Sequence, residues 1–164
     1  MPSSINLYDS KQKALDAGGV LLCNKKLTKY FWQNSYKEFM EMIKKSPIKD
    51  FYEHINTKQP VNCFIDIDIK KGDILFEKHE QVLTDTLETL NNLFRDLKKK
   101  YIILESHGIN KKSYHIILRM SDKNGNNIYF ENVNYLKNIL SEVKDIDFKV
   151  YRDGLFRTIY SSKN

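Results

Sequence analysis

The stretch Cys63-Phe-Ile-Asp-Ile-Asp-Ile-Lys70 alternates without a break, and it constrains the fold of this chain more than any other feature. A period of two puts Cys63, Ile65, Ile67 and Ile69 on one side of a β-strand. Phe64, Asp66, Asp68 and Lys70 fall on the other. The isoleucine side needs a helical layer to cover it, so Asp66 and Asp68 face away from that layer. Their Cα atoms stand about 6.6 Å apart at ordinary strand rise. Two carboxylates so placed repel each other and contribute nothing to packing. A broken local rule of this kind tends to mark function, and a hard divalent cation would relieve the repulsion. The plainer reading is a solvated strand face, because short acidic pairs are common.

The elements after this strand follow a readable order. Leu83, Leu87, Leu90, Phe94 and Leu97 recur at steps of four and three, which predicts an amphipathic helix. Lys98–Lys100 are expected to close it, where positive charge suits the helix dipole. Tyr101–Glu105 is apolar and β-branched, hence a strand. Ser106–Asn110 turns the chain, and Ser113–Arg119 alternates as another strand. Val133, Leu136, Leu140 and Val143 mark a second helix. Ile146–Tyr151 predicts a fourth strand, and Phe156–Tyr160 a fifth. The order β-α-β-β-α-β is the ferredoxin-like or RRM-like arrangement. Right-handed crossovers would place both helices on one sheet face and leave the other open.

The N-terminal third predicts short mixed elements: a helix over Asp9–Ala17, a strand over Val20–Cys23, and a helix capped by Ser35 that carries Phe39, Met40 and Ile43 and stops near Pro47. A further short helix is expected to hold Phe51, Tyr52 and Ile55. The fold class is therefore α+β. Residues 1–60 are expected to form a mixed α/β extension packed on an RRM-like core of residues 61–164, one domain in total. The chain is expected to be the N-terminal part of a longer protein.

At 164 residues it can bury a core without staples. Two cysteines exclude a disulfide framework and a cysteine-rich zinc site. With no 18-residue apolar run and no leader pattern, a reducing intracellular location without membrane contact is expected. Basic residues number 27 against 21 acidic, a net charge of +6. Such a balance suits a polyanionic partner or plain solubility. Only Arg95, Arg119, Arg152 and Arg157 are arginines. Lysine supplies charge without a bidentate fork, so backbone attraction is favoured over base reading.

Three strands place matched chemistry on the open face. Tyr114, Ile116 and Leu118 make the better core side of Ser113–Arg119, which turns Ser113 and His115 toward the aspartates. A hydroxyl and an imidazole can donate to phosphate oxygens, and Lys111 and Lys112 add charge at the strand entrance. On the fourth strand Ile146, Phe148 and Val150 form the core side and Asp145, Asp147, Lys149 and Tyr151 the other. Asp147 can then reach Asp66 and Asp68. Three carboxylates on neighbouring strands could hold two cations about 3.5–4 Å apart, the arrangement used for in-line phosphoryl displacement.

These residues resemble the motifs of archaeo-eukaryotic primases: hydrophobic-Asp-x-Asp in Ile65-Asp66-Ile67-Asp68, Ser-x-His in Ser113-Tyr114-His115, and hydrophobic-Asp in Ile146-Asp147. The branch most resembled is that of PrimPol and the primases of large DNA viruses. Lys111-Lys-Ser113-Tyr-His115 is similar to its Lys-x-Ser-x-His block. Phe51-Tyr-Glu-His-Ile55, Asp147-Phe-Lys-Val-Tyr151, Phe156-Arg157 and Ser161-Ser-Lys163 are similar to others. The segment before Phe156 is one residue shorter than the family pattern, so Arg152 does not map cleanly.

The resemblance implies template-directed nucleotidyl transfer, that is, primer synthesis or DNA extension on single-stranded DNA from NTPs or dNTPs. It implies that Asp66, Asp68 and Asp147 hold Mg²⁺ or Mn²⁺. It assigns Lys111, Ser113, His115, Arg157 and Lys163 to the incoming triphosphate and Tyr52 to the nucleotide sugar. It also implies a helicase domain or subunit as partner and a place at the site of DNA replication, in the viral branch an infected cell. The main rival is a non-catalytic RRM-like module for single-stranded nucleic acid, which reads bases with aromatics on its central strands. Asp66, Asp68, Ser113 and His115 occupy those positions here. Palm-type polymerases and nucleotide cyclases share the topology but do not account for Ser113-x-His115 with Arg157 and Lys163. An inert relative kept for assembly would not need three intact aspartates.

Overall fold

The computed structural model describes residues 6–8, 10–17, 20–24, 29–33, 37, 41, 44–45 and 51–157. Two compact units emerge, Met1–Ile55 with Asp153–Asn164, and Asn56–Arg152. Both contain antiparallel sheet, and helices accompany it, so the chain is α+β.

The first unit holds β1 (Asn6–Tyr8), α1 (Lys11–Ala17), β2 (Val20–Asn24), β3 (Lys29–Gln33), β4 (Phe51–Ile55) and β9 (Gly154–Arg157). Its strands run in the order β1-β3-β2-β4-β9. Phe51–Ile55 is thus a strand and not the expected short helix. Five residues rich in aromatics and ending in isoleucine are ambiguous by periodicity alone. Pairing with β2 on one side and β9 on the other decides the matter by satisfying the backbone. The C-terminal strand β9 therefore extends this first sheet rather than the core of residues 61–164. Ser35, Phe39, Met40, Ile43 and Pro47 of the expected helix lie outside the described residues, although Lys37, Glu41, Lys44 and Lys45 are helical.

The second unit is built on β5 (Cys63–Lys70), β6 (Lys98–Glu105) and β7 (Lys111–Ser121), in the order β5-β7-β6. A two-residue strand β8 (Asn127–Ile128) pairs with the end of β7. Cys63, Ile65, Ile67 and Ile69 are buried as the alternation predicts, together with Tyr114, Ile116, Leu118 and Met120 of β7. α2 (His79–Leu93) lies between β5 and β6 in sequence and buries Val82, Thr86 and Leu90. It ends at Leu93, short of Phe94 and Leu97, and Lys98–Lys100 begin β6 instead of closing the helix. Lys99 still serves the helix terminus from the strand, donating from Nζ to Phe94 O at 2.6 Å and Leu97 O at 3.1 Å. Leu97 N also donates to Phe94 O, at 3.0 Å, so the strand lysine reinforces the turn that ends the helix. α3 (Val133–Ile139) begins at Asn132, whose side chain accepts from Tyr135 N, and continues as a 3₁₀ turn over Leu140–Glu142. Val133, Leu136, Leu140 and Val143 are all buried, as their spacing requires.

The expected fourth strand, Ile146–Tyr151, does not form. Asp145 has φ 61°, and the chain bends there at the entrance. Asp147 then accepts Lys149 N on its own side chain and starts a 3₁₀ turn over Phe148–Val150. A short acidic side chain competing for a nearby amide diverts the backbone from a ladder. One backbone bond of strand type remains, from Asp147 N to Asp66 O at 2.7 Å. Tyr151, expected on the open side, is buried: its hydroxyl donates to Phe64 O at 2.8 Å and its ring lies 5.2 Å from that of Phe64. Among the described residues no helix is long and apolar enough to cross a membrane.

Candidate functional site

The β5–β7 ladder positions most of the site. In its register Asp66 is opposite His115, Asp68 is opposite Ser113, and Lys70 is opposite Lys111. Paired residues share a sheet face, so all six side chains emerge on the face away from Ile65, Ile67 and Tyr114. Asp147 arrives from the turn after α3, held beside β5 by its bond to Asp66 O. Each of the three aspartates offers a carboxylate oxygen lying within 4.8 Å of the others.

The surroundings of the two strand aspartates differ. Asp68 accepts Ser113 Oγ at 2.7 Å and faces Lys111 Nζ at 2.6 Å. Partial burial pushes its carboxyl up, but hydrogen bonds from Lys111 and Ser113, with the charges of Lys111 and His115, outweigh it and hold the group below its ordinary value. Asp66 is deeper, only 7 % exposed, because Tyr151 and the Asp147 turn cover part of the face expected to be open. His115 Nε2 stands 2.9 Å from Asp66 Oδ1. That is ion-pair distance without hydrogen-bond alignment, so Oδ1 is buried with no hydrogen-bond donor among the described residues. A buried carboxylate oxygen whose one close neighbour is not aligned as a hydrogen-bond donor is incompletely satisfied. Its place in a three-carboxylate cluster fits a hard cation, which takes oxygen ligands. Asp66, Asp68 and Asp147 are therefore the residues that could hold a metal ion.

Lys111, Ser113 and His115 are all brought against this cluster. Ser113 is 4 % exposed and donates to Asp68. Tyr52 and Arg157 lie in the first unit, on β4 and β9, where they are direct cross-strand partners. Lys163 lies outside the described residues.

A second constellation, which the sequence did not reveal, sits on the other side of β7. His79 Nδ1 is 2.6 Å from the Tyr114 hydroxyl, and the His107 ring lies 4.8 Å from both the His79 and Tyr114 rings. His107 also accepts Ser113 N at 3.4 Å. Burial first, then His79, holds its imidazole below the ordinary value. The available signal was Tyr114 itself: a tyrosine on a core face needs a partner for its hydroxyl. These interactions fix Tyr114 between Ser113 and His115 and so help to set the strand that carries both.

No protein-family model matches the chain, and no curated protein matches it at a significant level.

Proposed function

We propose that the chain is a template-directed nucleotidyltransferase, a primase or primase-polymerase core that extends or initiates strands on single-stranded DNA. The observation that carries this reading is the convergence of Asp66, Asp68 and Asp147 within 4.8 Å, with His115 and Ser113 directly opposite the first two. In this reading β5-β7-β6, with α2 between β5 and β6 and α3 after β7, is a ferredoxin-like core whose fourth strand has been reduced to the Asp147 turn.

In the reaction the 3′-oxygen of the growing strand bonds to the α-phosphorus of the nucleotide, and the bond to the leaving pyrophosphate breaks. Mg²⁺ or Mn²⁺ held by Asp66, Asp68 and Asp147 would activate the attacking hydroxyl and stabilise charge on the phosphates. Lys111 Nζ now lies against Asp68, and His115 Nε2 against Asp66. Once those oxygens are engaged, both side chains have triphosphate oxygens as alternative partners, and the Ser113 hydroxyl is a further donor. Charge-assisted hydrogen bonds of this type bind phosphate well. The rival single-stranded nucleic-acid module is disfavoured by the same residues, since carboxylates at the base-stacking positions repel phosphates.

The test supplies single-stranded template, NTPs or dNTPs and Mn²⁺, with and without a primer. Metal-dependent incorporation is the expected result, and the two arms separate initiation from extension. Strand binding with no incorporation under any combination would replace this reading by the binding module.

A further inference from the structure

The site face continues past the acidic cluster. In the β6–β7 register Leu104 is opposite His115, Ile102 opposite Ile117, Lys100 opposite Arg119 and Lys98 opposite Ser121. These residues share the face of Asp66 and Asp68, because they alternate with the core residues Tyr114, Ile116, Leu118 and Met120. Walking from the cluster toward the far end of the sheet, the face is first apolar and half-buried, at Ile102 and Ile117, and then cationic and exposed, at Lys100 and Arg119.

Two cations directly opposite each other on one sheet face are destabilising. Neither Lys100 nor Arg119 has an ion-pair partner among the described residues. The contrast with Lys99 is direct, since that side chain points to the other face and serves the end of α2. Lys98, two residues before Lys100, adds a third exposed cation on the site face. Repulsion retained without an internal partner is relieved by an external anion. Arg119 lies four residues from His115, about 13 Å along the strand. That spacing sets Arg119 apart from the residues that line the cluster, and it matches a chain that carries several phosphates.

We infer that Lys100 and Arg119, with Lys98, form a backbone-phosphate site for a single-stranded nucleic acid, whose bases lie over Ile102 and Ile117 on the way to the acidic cluster. The assignment rests on the nucleotidyl-transfer reading for the class of partner. It extends that reading by naming where the strand, as distinct from the nucleotide, is held. Arginine supplies the directional hydrogen bonds to phosphate and lysine the unspecific charge.

The test uses a fluorescent single-stranded DNA 12-mer titrated at several salt concentrations. Nucleoside triphosphate with Mn²⁺ is titrated separately on the same proteins. The double variant Lys100→Gln/Arg119→Gln should weaken strand binding about tenfold at low salt. It should also flatten the slope of log affinity against log salt by about 1.4, because two fewer phosphates are neutralised. Triphosphate binding should stay within twofold of the unmodified protein. The charge-matched double variant Lys78→Gln/Lys137→Gln, one change on the 3₁₀ turn Phe76–Lys78 and the other in α3, should leave the slope in place. An unchanged slope in the first variant, or an equal loss in the second, overturns the site in favour of plain net charge. A parallel fall in triphosphate affinity would overturn it too, by showing that both cations belong to the nucleotide. None of these results bears on whether incorporation depends on Asp66, so failure of this site leaves the proposed activity to its own assay.

Discussion

Asp66 and Asp68 reach the site in a different way from Asp147. The first two ride on β5, whose eight residues are all paired with β7. Asp147 rides on a turn, tied to β5 by one backbone bond and followed by Tyr151, which is anchored on Phe64 through its ring and its hydroxyl. The ladder distributes its hold over many bonds, so no single side chain behind it is decisive. The turn rests on fewer ties: that backbone bond, buried Ile146 beside Asp147, and Tyr151. The same cluster is thus built from two rigid members and one whose position depends on packing, and the two parts should respond differently to mutation.

The largest effect is expected on the ladder side. Asp66→Ala should bring Mn²⁺-dependent incorporation to background, a loss greater than about 100-fold, because changing residues that merely support a metal ligand already costs about 10- to 100-fold in metal affinity. Without metal the melting temperature should hold or rise, since repulsion among three clustered carboxylates is reduced. Substantial polymerisation by the variant would end the metal assignment.

On the turn side, Tyr151→Ala should cost about 3–5 kcal/mol in urea unfolding, as for other buried aromatics. Tyr151→Phe should cost about 1 kcal/mol, the net worth of one hydrogen bond. If both variants unfold at the same urea concentration as the unmodified protein, the turn is not anchored as described and the contrast with the ladder disappears.

His115→Ala probes what the ladder places opposite Asp66. Removing a charge-assisted hydrogen bond to phosphate should weaken triphosphate binding by about 10- to 100-fold and leave template binding almost untouched. A general base would instead show a large fall in single-turnover rate at unchanged nucleotide affinity. Measuring the two quantities separately distinguishes the roles.

Cys63 reports on the ladder with a pH-dependent signal. Burial pushes its thiol from 9.0 up to about 12. Well below that ordinary value the thiol is protonated in both folded and unfolded chains, and stability is unaffected. Above it the unfolded chain ionises while the folded one does not. Stability should then decline, by about 1.4 kcal/mol per pH unit at most. Cys63→Ala should remove that part of the slope, whatever its own packing cost. Rapid alkylation of native Cys63 in mildly alkaline buffer would show that the strand opens readily.

The sequence by itself determined the parts that depend on local periodicity. Alternation over Cys63–Lys70 and Ser113–Arg119 settled which side chains share a face, because a strand offers only two. The buried spacing of Val133, Leu136, Leu140 and Val143 was equally legible. Pairing Asp66 with His115 and Asp68 with Ser113 was decided only in three dimensions, since register is a relation between strands far apart in the chain. Tertiary pairing also made Phe51–Ile55 a strand, where five residues of ambiguous pattern found ladders on both sides. The opposite happened at Ile146–Tyr151, whose alternation promised a strand. There the positive φ of Asp145, the Asp147 side chain and the burial of Tyr151 outweighed it, because local hydrogen bonds and aromatic packing stabilised a turn where a period of two alone could not.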